Sequence, residues 1–536
     1  EAVRTVGVSG DTSIVLAIDR VIDMNGIGWY GGDSHTHINH AGGYYILDPE
    51  DAHRIGRAED LSVLNCLDNA YYFLGTPDPA GSGDCAVFMA EELRTLAYGH
   101  VGLLGVRSLI EPYSPVWWPL LSDVADSTHR DPGAIVVSSH PVPTRDFNQI
   151  DAWPGTGLAR TLPVDCVSGK IDAVDVMSYS NCASGGAELD LWYRLLNCGF
   201  RVPASAGTDA ALNRLDAGPA GGYRAYVRLQ DGEFSYGAWL SGLEAGRSFV
   251  TNGPLVTGFE IEGSAPGDSR DFAHPGARAS GTISVTCASP IDLVEIVVNG
   301  VPAITYLLQP ARSAFDTSFT LLLDESSWIA AAVYGAKRTW MPVGPYLFAH
   351  TSAVYCTVAG EPVRSREDAS FFVEWIEDLE ALVQANGAWA EAAQSARVVG
   401  EFSNAREYYQ ALASGGLTGT DVRLDGSAAA PRALRCENTP NPFGSATSID
   451  FAVPAVSGAA ASGAHPRDPS ARVTLAVYDV SGRLVRRLVD DARPAGEYRI
   501  VWDGRDEGGR IVASGVYFAR LSAGGVSASR KMLILK

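Results

Sequence analysis

The chain has 536 residues, 46% of them hydrophobic, with a formal net charge of −21 and an isoelectric point near 4.9. That length exceeds what one hydrophobic core organises, so several domains are expected. The acidic balance argues against non-specific binding to nucleic acid or an anionic membrane, no apolar run reaches the roughly 18 residues of a membrane span, and eight cysteines without a C-x-x-C pair argue against a structural zinc ribbon.

Residues 12–22 (Thr-Ser-Ile-Val-Leu-Ala-Ile-Asp-Arg-Val-Ile) read as a strand, and 1–27 as a segment left from an upstream β-domain. Next comes Gly31-Gly32-Asp33-Ser34-His35-Thr36-His37-Ile38-Asn39-His40. Side chains i and i+2 of a strand point the same way, so His35 and His37 offer two imidazoles to one point in space. Neutral imidazole suits Zn, Mn and Fe. Asp48-Pro49-Glu50-Asp51 places an N-cap, a proline at the first helical position and acidic residues in a first turn. Further strands are expected at 62–67, 85–90, 134–139, 173–178, 202–206 and 224–229, and a helix over 188–197 is stopped by Gly199. Short strands separated by helices over 28–254 predict a parallel sheet and a closed or nearly closed α/β barrel of about seven strands, with its chemistry at the C-terminal strand ends.

Those ends carry metal-binding residue types. The 85–90 run leads into Glu91-Glu92, 134–139 into His140-Pro141, and 202–206 into Gly207-Thr208-Asp209, while Tyr98-Gly99-His100 opens the apolar run 101–106. Singly, Asp209 reads as a helix cap, His140 as a core histidine and the glutamates as a solvated turn. Jointly they form a mixed N/O set for divalent Zn or Mn. His53, His129, His274, His350 and His465 fall outside this pattern.

Beyond residue 254 the composition turns to β. Alternation over 282–298, an Asn299-Gly300 turn and apolar runs at 328–333 and 352–358 predict a β-sandwich over 255–362. Cys287 and Cys356 fall in it, readable either as a disulfide or as two buried thiols. Ser365-Arg366-Glu367-Asp368 opens an amphipathic helix whose stripe is Phe372, Trp375, Ile376, Leu379 and Val383, expected to pack on the sandwich or barrel; the helical extension spans 363–413. A Gly/Ala/Ser-rich linker, 414–435, precedes a second all-β module, 436–536, with 457–472 as a loop inside it. The expected fold class is multidomain α/β plus all-β.

Asp33-x-His35-x-His37, a glutamate upstream of Gly99-His100, a strand ending His140-Pro141 and one ending Gly207-Thr208-Asp209 resemble the PHP-type metallohydrolases. The nearest likeness is to the carbaryl-hydrolase-like (CehA/McbA) branch, supported by 189–199 (Leu-Asp-Leu-Trp-Tyr-Arg-Leu-Leu-Asn-Cys-Gly) and 245–254 (Ala-Gly-Arg-Ser-Phe-Val-Thr-Asn-Gly-Pro), and covers about Gly28 to Ala413. The resemblance implies a distorted (β/α)7 barrel that binds up to three metals. It implies a first metal on His35, His37, Asp209 and a bridging Glu92, and a second on Glu92, His100 and His140, with Glu91 as the alternative bridge. It further implies a small-molecule substrate with an ester, carbamate or amide bond, water activated between the metals, and Asp209 and Glu92 as catalytic residues.

Two departures bear on the third metal. Asp68-Asn69 stands where the family has Asp-His, and Asp209-Ala210-Ala211 where it has Asp-x-His, so two ions are expected, Zn or Mn with Fe as an option. His40 is expected to point away from His37, three positions earlier. Tyr44, Tyr45, Asn213 and Arg214 are the substrate-binding candidates; Trp117, Trp118 and Trp153 line a pocket or pack the rim. A PHP-type phosphoesterase is a competing reading, needing a phosphate cradle for which Asn213, Arg214 and Arg224 are the candidates. A catalytically degenerate metal-binding surface protein is another.

In the last module, Asn438-Thr439-Pro440-Asn441-Pro442-Phe443, 473–478, Asp479-Val480-Ser481-Gly482-Arg483, Gly515-Val516-Tyr517 and 531–536 resemble the FlgD-like immunoglobulin folds or type IX sorting domains of bacterial surface-secreted proteins. That resemblance implies export, through secretion machinery or by attachment at the cell surface.

Overall fold

A computed structural model describes residues 10, 20–40, 42–68, 72–79, 83, 85–95, 98–110, 117–142, 158–178, 187–214, 217–230, 233–336, 346–415, 422–423, 435–439, 447–453, 471–479, 483–493, 496–523 and 526–534. The expected strand at 12–22 lies mostly outside these residues, as do Asn69, Trp153 and His465.

The first half holds β1 (Trp29–His37), α1 (Pro49–Ala58), β2 (Val63–Cys66), β3 (Ala86–Met89), β4 (Glu91–Thr95), β5 (Gly99–Leu104), α2 (Leu121–Thr128), β6 (Ile135–Ser139), α3 (Leu162–Val167) and β7 (Ala173–Met177). It continues with α4 (Ala187–Asn197), β8 (Ala204–Ala206), β9 (Ala210–Ala211), β10 (Arg224–Arg228), α5 (Tyr236–Glu244) and β11 (Ser248–Thr251). Local chemistry sets these limits. The Asp48 side chain accepts from the Asp51 N–H while Asp51 accepts from the Asp48 N–H, a reciprocal cap completed by Pro49. Gly199, at φ 89°, takes the left-handed conformation that ends α4.

The sheets are mixed, which corrects the expectation of a single parallel sheet. β3, β2, β1, β10 and β11 lie side by side in one sheet, and β4, β5, β6, β7 and β8 form another. Within them, β1–β2–β3 and β6–β7–β8 pair in parallel, whereas β1–β10, β10–β11, β4–β5 and β5–β6 are antiparallel. No closed barrel forms among the described residues. The reason lies in the connections. Only three residues separate β4 from β5, too few for anything but antiparallel pairing, and the chain passes from the first sheet to the second at Ala90, between β3 and β4. The stretch Glu91-Glu92, expected as a turn, is therefore the start of a strand.

Beyond it come β12 (Leu255–Ile261), β13 (Ser269–Phe272), β14 (Ala277–Val298), β15 (Val301–Leu323), β16 (Ser327–Gly335), β17 (Leu347–Thr351) and β18 (Val354–Val358). β14 and β15 meet at Asn299 (φ 50°) and Gly300 (φ 83°), the two positive φ values that a tight hairpin of this hand requires. β11 pairs with β17, so the sheet that carries β1 runs on into these strands. Cys287 and Cys356 are buried thiols. Ser365 caps α6 (Arg366–Asn386) by accepting from the Asp368 N–H, and α7 (Ala392–Ser414) follows. The α6 stripe, Phe372, Trp375, Ile376, Leu379 and Val383, is buried in the core shared with the first-half sheets, each side chain contributing on the order of 2 kcal/mol. Trp375 Nε1–H donates to Arg160 O at 2.7 Å, and the Tyr409 hydroxyl on α7 donates to Pro163 O at 3.0 Å, fixing both helices.

The C-terminal strands are β19 (Val422–Arg423), β20 (Arg435–Thr439), β21 (Thr447–Val453), β22 (Ala471–Asp479), β23 (Leu484–Arg493), β24 (Gly496–Trp502), β25 (Gly515–Ala523) and β26 (Val526–Ile534). They make two four-stranded sheets, β19-β24-β21-β20 and β23-β22-β25-β26, around a core that includes Ile449, Phe451, Val473, Leu475, Trp502 and Leu521.

Candidate metal centre

β1 is buried along almost its whole length, so side chains on both its faces must find partners. On one face Ser34 Oγ–H donates to Asp175 at 2.8 Å and Thr36 Oγ1–H to Asn65 O at 2.8 Å. On the other, His35 and His37 bring their Nε2 atoms within 3.2 Å of each other. Asp33 locks the neighbouring 207–209 turn in place. Its carboxylate accepts from the Thr208 N–H (2.9 Å), the Thr208 hydroxyl (2.6 Å) and the Gly221 N–H (2.7 Å).

That turn presses closely on the strand. A Cβ at Gly207 would stand 2.5 Å from His35 Cβ, so only glycine fits. The Asp209 N–H then donates to His35 O at 2.7 Å, and β9 pairs in parallel with the end of β1. Asp209 takes φ 56°, a left-handed conformation costly for a residue with a side chain. The result puts its Oδ1 3.5 Å from His35 Nε2 and 3.2 Å from His37 Nε2.

The second sheet supplies the facing residues. Side chains alternate along β4, so Glu92 and Arg94 share a face and Glu91 points the other way, where its Oε2 accepts from the Ile110 N–H at 2.7 Å. Glu92, not Glu91, therefore enters the centre. Its Oε1 lies 3.5 Å from His35 Nε2 and 2.8 Å from His100 Nδ1, and its Oε2 lies 3.6 Å from His37 Nε2. His100 stands opposite Arg94 in the β4–β5 ladder, and Ser139 opposite His100 in the next, which delivers His140 just past the end of β6. His140 also has a positive φ, 31°. Its Nε2 is 3.7 Å from Asp209 Oδ2, and its ring centroid is 4.7 Å from that of His100 and 5.3 Å from that of His35.

All six expected ligands thus meet at one place. They fall into overlapping trios, His35–His37–Glu92, His35–His140–Asp209 and Glu92–His100–His140, with donor atoms within 4.8 Å of one another in each. Two ligands about 2 Å from a common ion stand at most about 4 Å apart, so small side-chain adjustments bring each trio to that span. Both ring nitrogens of His140 and Nδ1 of His35 are buried without a hydrogen-bond partner among the described residues.

The electrostatics follow from burial and mutual charge. Burial, then His35, pushes the His140 imidazole down to about 3, so it is neutral with lone pairs to offer. Burial also lowers His35, against the pull of Glu92 and Asp209. Burial raises Glu92, but His35, the bond from His100 and His37 outweigh it and hold the carboxylate well below its ordinary range. Burial lowers His37, yet its bonds to Asp209 and Asp68 prevail and raise it to about 9.

Outside the six, the placements differ from one another. Asp68 accepts from the Ile38 N–H and faces His37 Nδ1 at 3.5 Å, aiming the other ring nitrogen into the centre. Contrary to expectation, the chain bends after β1 and brings the His40 ring within 5.3 Å of that of His37; no ligand trio among the described residues includes it. Ala211 is buried on β9. Tyr44 and Tyr45 are 62% and 54% exposed. Asn213 spends its amide on the 40–45 loop, accepting from the His40 N–H (3.2 Å) and donating to His40 O (3.1 Å) and Tyr45 O (3.2 Å). Arg214 is half-buried beside it. Arg224 donates to Gly221 O (2.6 Å) and Glu59 O (3.0 Å), so Asn213 and Arg224 serve the backbone rather than a phosphate cradle. Trp117 is buried against Phe402 of α7, and Arg397 stacks on Trp118, which makes both rings packing groups. His53 faces Asp78, His129 bonds Asp172 at 2.8 Å, His350 meets the Tyr193 hydroxyl at 2.7 Å and His274 is exposed, all apart from the trios.

Sequence reasoning missed Arg94. Its Nε–H donates to Glu92 Oε2, and Nη2 lies 3.4 and 3.3 Å from the two ring nitrogens of His37. The signal was the two-residue spacing from Glu92, usable only once 91–95 is read as a strand.

Residues 452–525 match the family model of the FlgD Ig-like domain. The chain therefore carries a FlgD Ig-like domain in its C-terminal region. No curated protein matches the chain. Among solved structures, dimeric latent PorU from Porphyromonas gingivalis is similar at 12% identity over 53% of this chain and 20% of that one, with a TM-score of 0.15. The Pseudomonas fluorescens alkylpurine DNA glycosylase AlkC, bound to DNA containing an abasic site analog, is similar at 12% identity over 32% of this chain and 54% of that one, TM-score 0.15. The fibronectin(III)-like modules of Clostridium thermocellum CbhA give 10% identity over 52% and 93%, TM-score 0.13. The chain spans a fifth of the first of these and about half of the second, and superpositions this poor assign neither fold nor activity.

Proposed function

We propose that this protein is a metal-dependent hydrolase of the PHP type, nearest the carbaryl-hydrolase-like branch, acting on an ester, carbamate or amide bond of a small molecule. The observation that carries the reading is His140. A buried neutral imidazole with neither ring nitrogen hydrogen-bonded among the described residues is costly, and it stands among five further residues of metal-ligating type. The donor set fits Zn or Mn, with Fe as an alternative: His35, His37, Asp209 and Glu92 would hold one ion, and Glu92, His100 and His140 a second. When bound, such a pair supplies Lewis acidity and a water acidified to near pH 7.

The chain's own residues do the rest. Asp68 fixes the His37 ring, and Asp33 and Gly207 fix the turn that bears Asp209. Asp209 is the most solvent-accessible carboxylate of the set, its side chain 24% exposed, and is placed to take up or hold a proton from the attacking water. Two of the three candidates for a phosphate cradle, Asn213 and Arg224, are already committed to backbone groups, which leaves only Arg214 and counts against the phosphoesterase reading. The FlgD Ig-like domain supports secretion or surface attachment in a bacterium, and no helix among the described residues is long and apolar enough to cross a membrane.

Elemental analysis of the full chain, followed by assays on nitrophenyl phosphate, a phosphodiester, a nitrophenyl ester and a naphthyl carbamate, tests the proposal. About two equivalents of metal with ester or carbamate turnover is the expected result. Metal near zero, or metal without turnover on the whole panel, would favour a degenerate metal-binding surface protein instead.

A further inference from the structure

Arg94 is the one cationic side chain built into this centre from β4, and its surroundings define what it can recognise. Its Nε–H is committed to Glu92 Oε2 and its Nη2 lies against His37. Its side chain is nevertheless 45% exposed, beside a glutamate that is wholly buried. Nη1 makes no hydrogen bond among the described residues. The guanidinium is thus anchored along one edge and open along another, at the boundary between the buried ligand set and solvent.

An arginine held this way is pre-organised. Its planar fork keeps its aim without paying the rotamer entropy that a free side chain loses on binding. One fork suits the two coplanar oxygens of a carboxylate. A phosphate needs a cradle of several donors, and two of its three candidates, Asn213 and Arg224, are spent on backbone groups.

We propose that Arg94 is a substrate-recognition residue that binds a carboxylate borne by the substrate, so that the bond cleaved belongs to an acid-bearing molecule. The inference rests on the metal-centre reading above, with His35, His37, Glu92, His100, His140 and Asp209 as the reacting end. A carboxylate on Arg94 then sits beside the scissile group rather than on the ions.

The test uses the full-length protein as isolated, its metal content measured, with succinate and acetate as calorimetric probes. Succinate offers a second carboxylate that acetate lacks. The wild type should bind succinate at least about tenfold more tightly than acetate, the scale of one charge-assisted hydrogen-bonded pair. Arg94→Gln should erase that preference with metal content unchanged, and Arg94→Lys should restore part of it. No preference in the wild type, or one that persists in Arg94→Gln, overturns the proposal. Loss of metal together with the preference also overturns it, by making Arg94 a positioning residue for Glu92. Failure of the hydrolase reading shows separately, as absence of turnover on nitrophenyl and carbamate substrates while the succinate preference still depends on Arg94.

Discussion

The candidate centre and the C-terminal Ig-like domain are both strand-built, and they place their polar groups in opposite ways. At the centre, His35, His37, Glu92 and His140 are 0–3% exposed, and His140 has no hydrogen-bond partner for either ring nitrogen among the described residues. In the Ig-like domain the core is largely apolar, its buried Asn438 donating to Thr447 Oγ1 at 3.1 Å, and charges pair at the surface, as in Arg472–Asp490 (2.8 Å), Arg486–Asp503 (2.7 Å) and Arg510–Asp506 (3.1 Å). Exposed pairs of this kind contribute little and tolerate exchange. Buried groups that lack partners cost stability unless something offsets them, so under the proposed function a bound ion would supply at the centre what the fold alone does not.

The largest expected break in that contrast is His140→Ala. It should lower metal content and reduce turnover by at least about a hundredfold, the upper end of what loss of an outer partner costs, while circular dichroism stays native. Retained turnover would remove the second ion from the scheme.

Acid should next probe the strands that continue the sheet of the centre. His350 on β17 donates from Nδ1 to Thr351 O (2.7 Å) and accepts the Tyr193 hydroxyl at Nε2, and burial lowers its pKa to about 4. Between about pH 6.5 and 4 the unfolded chain takes up a proton that the folded protein refuses, so stability falls as pH falls through this window. A shift of about 2.5 units corresponds to about 3 kcal/mol. The stability of wild type relative to His350→Gln should decline by up to that amount on acidification, read from denaturant unfolding at several pH values. The raised Asp33 and Asp175, at about 6 and about 7 through burial, act in the opposite direction but cancel in this difference. A pH-independent difference would show that His350 does not report on the fold.

Asp68→Asn is a smaller perturbation, with an expected loss of about ten- to a hundredfold in metal affinity, since it removes only the partner that orients His37. Unchanged affinity by metal titration would make Asp68 a cap for the Ile38 N–H and nothing more. The smallest effect should come from deleting everything after Arg435, which should leave metal content and turnover at wild-type levels and change where the protein accumulates. A truncated protein without turnover would place the Ig-like domain inside the catalytic unit.

His35, His37, His100, His140 and Asp209 were legible as candidate ligands because each stands near a strand end or at a two-residue spacing, where identity and geometry are set locally. The helix caps at Asp48 and Ser365 were legible for the same reason. The crossing at Ala90 was not. Nothing in the apolar run 85–90 tells whether the next residues turn or pair, and the β4–β5 pairing that decides it is a matter of tertiary contact. That one missed strand hid Arg94 and left Glu91 and Glu92 undecided. Alternation turns His40 away from His37 only while the chain stays extended, and the chain leaves β1 at His37.

The pairing of β11 with β17 has a bearing on how such a protein can be inherited. Phe249, Val250 and Thr251 are matched there with Thr351, His350 and Ala349. A recombination event that passed on only residues up to 254 would hand over β11 with one row of backbone donors and acceptors bare, an edge prone to pairing with other chains. The strands beyond residue 254 cannot be traded like beads on a string. A gene fragment that encodes all six candidate ligands but stops short of β17 would carry those residues without the strand that completes their sheet.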